Sequence, residues 1–263
     1  MSAEHDGVLH VLRSVAQRNS GALVRRRPDG TAAGAILADA GRVCWARSAG
    51  QRARMSDLLL AGSDHRMTRE VLERAVRACR VQHRPLGEYL LTLGLVDESS
   101  LRSALLRHTC EALLDLANED SAWEWLEHRG PGYNASLTFS PADVLSGVHA
   151  LRVPELTLDW TTRLRARVLQ GQRAFVIAKD GPDQGLIAHT GCDDLGLDAL
   201  FDLASRAWEL NQLGAAIDAR GAVAVFGELA YATWQEDGLL SVIIDADDMA
   251  FSRLVSQLVS IKP

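Results

Sequence analysis

The stretch Ala174-Phe175-Val176-Ile177-Ala178-Lys179-Asp180-Gly181 decides the fold of the C-terminal part of the chain. Its five consecutive apolar residues are typical of a buried strand, and the Asp-Gly pair that follows is typical of a turn. A second apolar run at 186–189 comes directly after this turn. The two runs together predict a β-hairpin at 174–189.

The segments on both sides of this hairpin complete one predicted domain. Helical spacing of apolar residues predicts helices over 156–169, 198–213 and 251–258, and apolar runs predict strands at 222–226, 230–234 and 239–244. The predicted order is helix, two strands, helix, three strands, helix, which corresponds to an α/β sandwich.

The N-terminal part predicts a second domain of the α+β class. Three strands at 22–25, 33–37 and 42–46 form a small antiparallel meander, with a turn at Asp39-Ala40-Gly41 between the last two. Helices follow at 55–62, 68–80, 88–93 and 97–116, and a last strand at 123–126. Two prolines and Ser146-Gly147 favour a linker after it. We therefore predict domains over 1–139 and 155–263, joined by a linker at 140–154.

The charges of the chain are distributed unevenly. Residues 1–140 carry 18 basic and 17 acidic side chains, whereas residues 141–263 carry 10 basic and 17 acidic ones. An acidic surface repels nucleic-acid phosphates and favours a basic protein partner. The N-terminus has no basic and apolar leader, and no apolar run is long enough for a membrane span, so we expect a cytoplasmic protein.

Sequence motifs of catalysis are absent. The chain contains no Gly-Lys-Ser/Thr phosphate loop, no H-E-x-x-H and no G-x-S-x-G. The carboxylates Asp245, Asp247 and Asp248 suit a hard cation, but their place between a strand and a helix favours helix capping. We expect no catalytic residue, no cofactor and no metal site, and we predict that the protein is not an enzyme.

The C-terminal pattern resembles the roadblock (dynein light-chain-like) family. The resemblance extends over about 156–262 and is carried by the hairpin at 174–189, the strand at 239–245 and the helix at 250–258. It implies a non-catalytic domain that forms homodimers and that, in bacteria, partners a small Ras-like GTPase.

Residues 8–139 are similar to the PATAN-type domain of bacterial regulatory proteins. The similarity is carried by Ser20-Gly21-Ala22-Leu23, by 36–43 and by Pro85-Leu86-Gly87-Glu88-Tyr89-Leu90-Leu91. The last of these, continued to Leu101, also resembles the N-terminal domain of secretion and pilus assembly ATPases. Both resemblances imply an interaction module and carry no catalytic residue.

These observations predict a dimeric adaptor in bacterial signalling, motility or assembly. We predict that partner binding uses four aspartates around the start of the long helix: Asp193, Asp194, Asp198 and Asp202. We predict that the dimer interface uses apolar residues of the same helix: Leu200, Phe201, Ala204 and Trp208.

Two other functions stay open. A DNA-binding regulator would need a coherent basic face across the helices at 68–80 and 97–116, of which the first carries most of the arginines. A metal-dependent enzyme would need a polar cleft with strongly shifted carboxylates or a bound metal.

Overall fold

A computed structural model describes residues 2–51, 53–62, 67–82, 84–117, 122–127, 133–178, 185–215, 221–226, 229–247 and 249–260. The chain divides into two compact units, one formed by Arg18–Thr138 and the other by Met1–Gln17 together with Phe139–Pro263. Both units combine helices with an antiparallel sheet, so the predicted mixed class is confirmed. Among the described helices, none has the length and apolar character needed to cross a bilayer.

The sheet of the unit Arg18–Thr138 contains the predicted meander. Its strands are β1 (Gly21–Arg26), β2 (Ala32–Asp39), β3 (Arg42–Ser48) and β4 (Ala122–Glu127). The order is β3-β2-β1-β4, so the last strand adds to the meander next to β1. Ala40 and Gly41 both have positive φ, 49° and 76°, as a two-residue type I′ hairpin turn requires.

Helices supply the second layer of this unit. They are α2 (Met55–Ala61), α3 (Arg69–Gln82), α4 (Leu86–Thr92) and α5 (Glu98–Ala117), followed by a short 3₁₀ helix at Ala135–Leu137. Helix α5 packs against β3 and β2. At its start the Asp97 side chain accepts a 2.8 Å hydrogen bond from the Ser100 amide and caps the helix.

The other unit contains a five-stranded sheet. Along the chain its elements are α1 (Ser2–Ala16), α6 (Pro141–Arg152), α7 (Pro154–Arg167), β5 (Arg173–Ala178), β6 (Leu186–Thr190), α8 (Leu197–Ala215), β7 (Gly221–Phe226), β8 (Leu229–Glu236), β9 (Leu239–Asp245) and α9 (Ala250–Ser260). The strand order is β6-β5-β9-β8-β7, with antiparallel neighbours throughout.

Helices cover both faces of this sheet. Trp160 of α7, Ile243 of β9 and Leu254 of α9 belong to one buried cluster, so α7 and α9 share a face. Helix α8 packs on β8 and β7. Burial raises the pKa of Tyr231 in β8, on which the charges of Arg206 and Glu209 in α8 also act. Tyr231 lies between Ala230 and Ala232, which belong to the buried cluster. Because successive strand residues point to opposite faces, α8 covers the other face.

The segment predicted as a linker, 140–154, instead forms α6 and the start of α7. Ser140 and Asp143 form a reciprocal capping box, and Pro141 occupies the first turn, where a missing amide hydrogen costs nothing. Val144, Leu145 and Val148 are almost fully buried. A helix with that much buried apolar surface is part of a folded core.

The predicted boundary of the N-terminal domain also differs from the two units. Helix α1 contacts α6, and Val8, Leu12 and Val15 on α1 have no exposed surface. The helix therefore belongs to the unit that contains the five-stranded sheet. The predicted turn at 179–184, the loop at 128–132 and Asp248 lie outside the described residues.

Candidate functional site

Strand β7 is an edge of the five-stranded sheet. Among the described residues it pairs with β8 and with no other strand, from Gly221 opposite Trp234 to Phe226 opposite Leu229. Its sequence, Gly-Ala-Val-Ala-Val-Phe, contains neither charge nor proline, and the Val225 side chain is 60% exposed. Edge strands usually carry charged residues or proline, because these residues prevent pairing with other chains. This edge lacks that protection.

Close packing fixes the position of β7. A Cβ atom on Gly221 would stand 2.6 Å from the Thr233 carbonyl oxygen and 2.8 Å from a methyl of Leu258 on α9. Only glycine fits this approach without displacing the backbone of β8. The strand is therefore held firmly against β8, and no other described strand pairs with its outer side.

Helix α8 lies beside the edge strand and contacts it. Phe201 and Trp208 are half-buried and stand seven residues apart, which places them on one flank of the helix. Leu213 is 69% exposed. Phe201 and Trp208 of α8, together with Val225 of β7, form the set of apolar residues that we call the β7–α8 surface, whereas Leu213 lies on another flank of α8.

Two residues of the predicted dimer interface do not belong to this surface. Leu200 and Ala204 have no exposed surface. They face the sheet, because the apolar stripe of an amphipathic helix packs on its own core first. Phe201 and Trp208 remain as interface candidates.

The four predicted partner-binding aspartates are exposed, but each contacts a group of the same chain. Their partners are Ser140 for Asp193, Arg173 for Asp194, Arg13 for Asp198 and Arg206 for Asp202, at 3.4, 2.7, 2.8 and 2.9 Å respectively. Three arginines therefore neutralise much of the charge that the sequence attributes to this region. Exposed ion pairs are worth at most about 1 kcal/mol, so a basic partner can still compete for the carboxylates.

Asp245 is buried and accepts hydrogen bonds from three residues of its own unit. Its carboxylate accepts hydrogen bonds from Gln172 at 2.8 Å and from the Asp247 amide at 3.0 Å. Two nitrogens of the Arg253 guanidinium also donate to it, at 2.8 and 3.1 Å. Burial acts to raise the pKa of Asp245, but these hydrogen bonds outweigh it and lower the pKa overall. The carboxylate therefore links β9 to Gln172 and to Arg253 of α9, while the side chain that accepts an amide next to the start of α9 is Asp247, from Met249 at 2.9 Å.

The four cysteines are reduced and buried. Burial raises the pKa of the Cys44 and Cys192 thiols to about 12. Since the thiolate is the reactive form, neither of these two side chains is suited to nucleophilic catalysis at neutral pH.

The alternative of DNA binding depends on the arginines of α3 and α5. On α5, Arg107 forms an ion pair with Glu111 at 3.0 Å, and Arg102 donates to the carbonyl oxygens of Ser136 and Thr138. Both arginines are committed within their own unit. The DNA-binding alternative therefore stays a prediction, with both arginines of α5 already paired within their own unit.

Neither a protein-family model nor a curated protein matches this chain. The resemblances to roadblock and PATAN-type domains therefore stay predictions from the sequence.

Sequence reasoning did not select Val225, the most exposed apolar residue of the β7–α8 surface. The signal in the sequence was the absence of charge and proline over the whole run 221–226. The position of that run at the sheet edge depends on the strand order, which the sequence pattern does not specify.

Proposed function

We propose that the protein is a non-catalytic adaptor that forms a homodimer through the β7–α8 surface. The observation that carries this proposal is an apolar, uncharged edge strand with Val225 60% exposed. Such an edge favours pairing with another chain unless a partner covers it. The roadblock resemblance implies the same mode of self-association.

A twofold axis beside β7 gives the simplest dimer. Antiparallel pairing of β7 with its copy satisfies the open backbone groups of both strands and extends each five-stranded sheet into the other. The half-buried side chains Phe201 and Trp208 of α8, which packs on β7, contribute to the contact next to the paired strands. Each copy thus uses one surface against itself.

The partner of this dimer is expected to carry a basic surface. Residues 174–263 hold 14 acidic and 5 basic side chains, so that long-range attraction favours a positively charged protein. A small Ras-like GTPase is the partner that the roadblock resemblance implies. The unit Arg18–Thr138 has its own sheet and helical core, and it serves as a second interaction module in this proposal.

The oligomeric state of the full chain tests the proposal. Light scattering at micromolar concentrations is expected to give the mass of a dimer. Val225→Arg places a cation on the apolar edge of each copy, and the desolvation of these charges is expected to raise the dimer dissociation constant at least about 10-fold. Leu158→Arg on α7 is the matched control, since Leu158 is 70% exposed and lies outside the β7–α8 surface.

A monomeric wild-type chain at these concentrations would refute the proposed dimer. If Val225→Arg stays dimeric, or if Leu158→Arg dissociates the dimer equally, the interface lies elsewhere. Circular dichroism of each variant shows that the fold is retained.

A further inference from the structure

Three side chains with metal-ligand chemistry meet at one end of the five-stranded sheet. Asp143 is in the first turn of α6, His189 is in β6, and Asp193 lies between β6 and α8. One ligand atom from each residue lies within 4.8 Å of the other two. The residues are up to 50 positions apart in the sequence, and the fold alone brings them together.

His189 is the second observation that indicates a ligand. Its side chain is only 8% exposed, and its Nδ1 atom makes no hydrogen bond to any described residue. Its Nε2 atom lies 3.4 Å from Asp143 Oδ1. This separation exceeds the usual 2.7–3.2 Å of a hydrogen bond from nitrogen to oxygen. A buried imidazole is therefore directed at a carboxylate without a close hydrogen bond to it.

The same 3.4 Å separation fits two ligands of one ion. Nitrogen and oxygen atoms about 2.1 Å from a tetrahedral metal stand about 3.4 Å apart. Asp193 is exposed, and one of its carboxylate oxygens lies within 4.8 Å of the ligand atoms of Asp143 and His189. The fourth position then belongs to water, since the Asp193 side of the cluster faces solvent.

Ser140 contacts both carboxylates. Its backbone amide donates a 2.9 Å hydrogen bond to Asp143 Oδ2, which directs Oδ1 towards His189. Its hydroxyl lies 3.4 Å from Asp193 Oδ1, a looser contact, and the residue has no exposed surface. Hydrogen bonds of this kind to metal-ligating carboxylates fix their orientation and tune metal affinity.

We infer that Asp143, His189 and Asp193 bind a divalent transition-metal ion of the zinc class. One imidazole with two carboxylates suits Zn²⁺, Co²⁺ or Ni²⁺, whereas Ca²⁺ and Mg²⁺ prefer a shell of oxygen atoms alone. The ion joins the start of α6, the end of β6 and the segment that leads into α8. The bound ion stabilises the fold of this unit, and its binding does not depend on the proposed dimer.

Cobalt titration of the full chain tests this site directly. Co²⁺ in a site with nitrogen and oxygen ligands produces visible d–d absorption, and we expect it to saturate at one ion per chain. Zn²⁺ is expected to displace Co²⁺ and to raise the thermal midpoint of the chain, while Mg²⁺ at the same concentration leaves the midpoint unchanged.

Variants assign the site to these residues. Asp193→Asn and His189→Gln are each expected to weaken Co²⁺ binding at least about 10-fold, the lower limit seen when metal sites lose supporting groups. Asp194→Asn is the matched control, because Asp194 is the exposed neighbour that pairs with Arg173 and not with the cluster. The metal-free thermal midpoint of Asp193→Asn is expected to equal that of the wild type, which separates lost binding from lost folding.

Three results would overturn the inference. The first is the absence of saturable Co²⁺ absorption in the wild-type chain. The second is a sulfur-to-cobalt charge-transfer band, which would place the ion on cysteines. The third is equal affinity in wild type, Asp193→Asn and His189→Gln.

Discussion

Replacing Asp245 by Asn tests the hydrogen-bond network that joins β9 to α9. The substitution keeps the size of the side chain but removes its charge, and one of its two oxygens becomes a donor. In place of Oδ2 that donor meets the Gln172 amide and Arg253 Nε, and in place of Oδ1 it meets the Asp247 amide and a terminal nitrogen of Arg253, all of which donate to Asp245 in the wild type. At least one buried polar contact is then lost.

The expected cost follows from the contacts. A hydrogen bond that involves a charged group contributes about 1.5–3 kcal/mol. Arg253 is 38% exposed, so that water compensates part of its loss, whereas Gln172 and Asp245 are almost fully buried. We therefore expect Asp245→Asn to lower the free energy of unfolding by about 2–3 kcal/mol. At roughly 3 °C per kcal/mol for a chain of this size, the thermal midpoint falls by about 6–9 °C.

Chemical denaturation followed by tryptophan fluorescence measures this difference. Asp247→Asn is the control, since Asp247 is 52% exposed and its carboxylate contacts Arg253 at 3.3 Å, and it is expected to cost less than about 1 kcal/mol. The pKa of Asp245 is lowered in the folded chain from an ordinary value of 3.8. Its stabilising contribution is therefore present above about pH 4 and is lost as the pH falls through the lowered value. Equal stability of the two variants at pH 7 would refute the assignment of Asp245 as the central group of the network.

Three further predictions use other residues. Glu236→Gln is expected to cost about 1 kcal/mol at pH 7, because a hydrogen bond from an arginine of α7 lowers the pKa of Glu236 from 4.5. Urea denaturation at pH 7 and pH 3 should show the loss shrinking at the lower pH, and a loss that is independent of pH would contradict this role. Cys44 and Cys192 are expected to resist thiol labelling at pH 8 until the chain is unfolded, since burial raises the pKa of both thiols to about 12; mass spectrometry of labelled peptides would reveal any reaction in the folded state. Charge reversal at Asp198 and Asp202 is expected to slow association with a basic partner several-fold at low salt and to leave the dimer intact. Association rates that change neither with salt nor with the charge reversal would place the contact elsewhere.

Local chemistry explains why most elements could be predicted from the sequence. Turns such as Asp39-Ala40-Gly41 and the apolar runs between them specify strand positions without knowledge of distant contacts. The helix at 141–152 was missed because its prolines and Ser146-Gly147 resemble a linker. Ser140 and Asp143, three residues apart, carried the capping signal that would have identified it.

The candidate sites were harder to predict because they depend on contacts between distant segments. Periodicity finds the apolar stripe of α8, but Leu200 and Ala204 in that stripe face the sheet. The pairing of Asp194 with Arg173 joins two different elements, so the sequence overestimates the free negative charge of this region. His189 and Asp143 are distant in the sequence, and no sequence pattern indicates that the fold brings them together.

The assignment of α1 to the unit that contains Phe139–Pro263 has a consequence for biosynthesis. The ribosome releases α1 first, then the whole of Arg18–Thr138, and only afterwards the helix α6 that α1 contacts. The unit Arg18–Thr138 has its complete sequence outside the ribosome early and can fold during translation. Val8 and Leu12, which end fully buried, have no native partner during that time. The buried face of α1 thus stays without its native contact to α6 until the whole of Arg18–Thr138 and then α6 have been made.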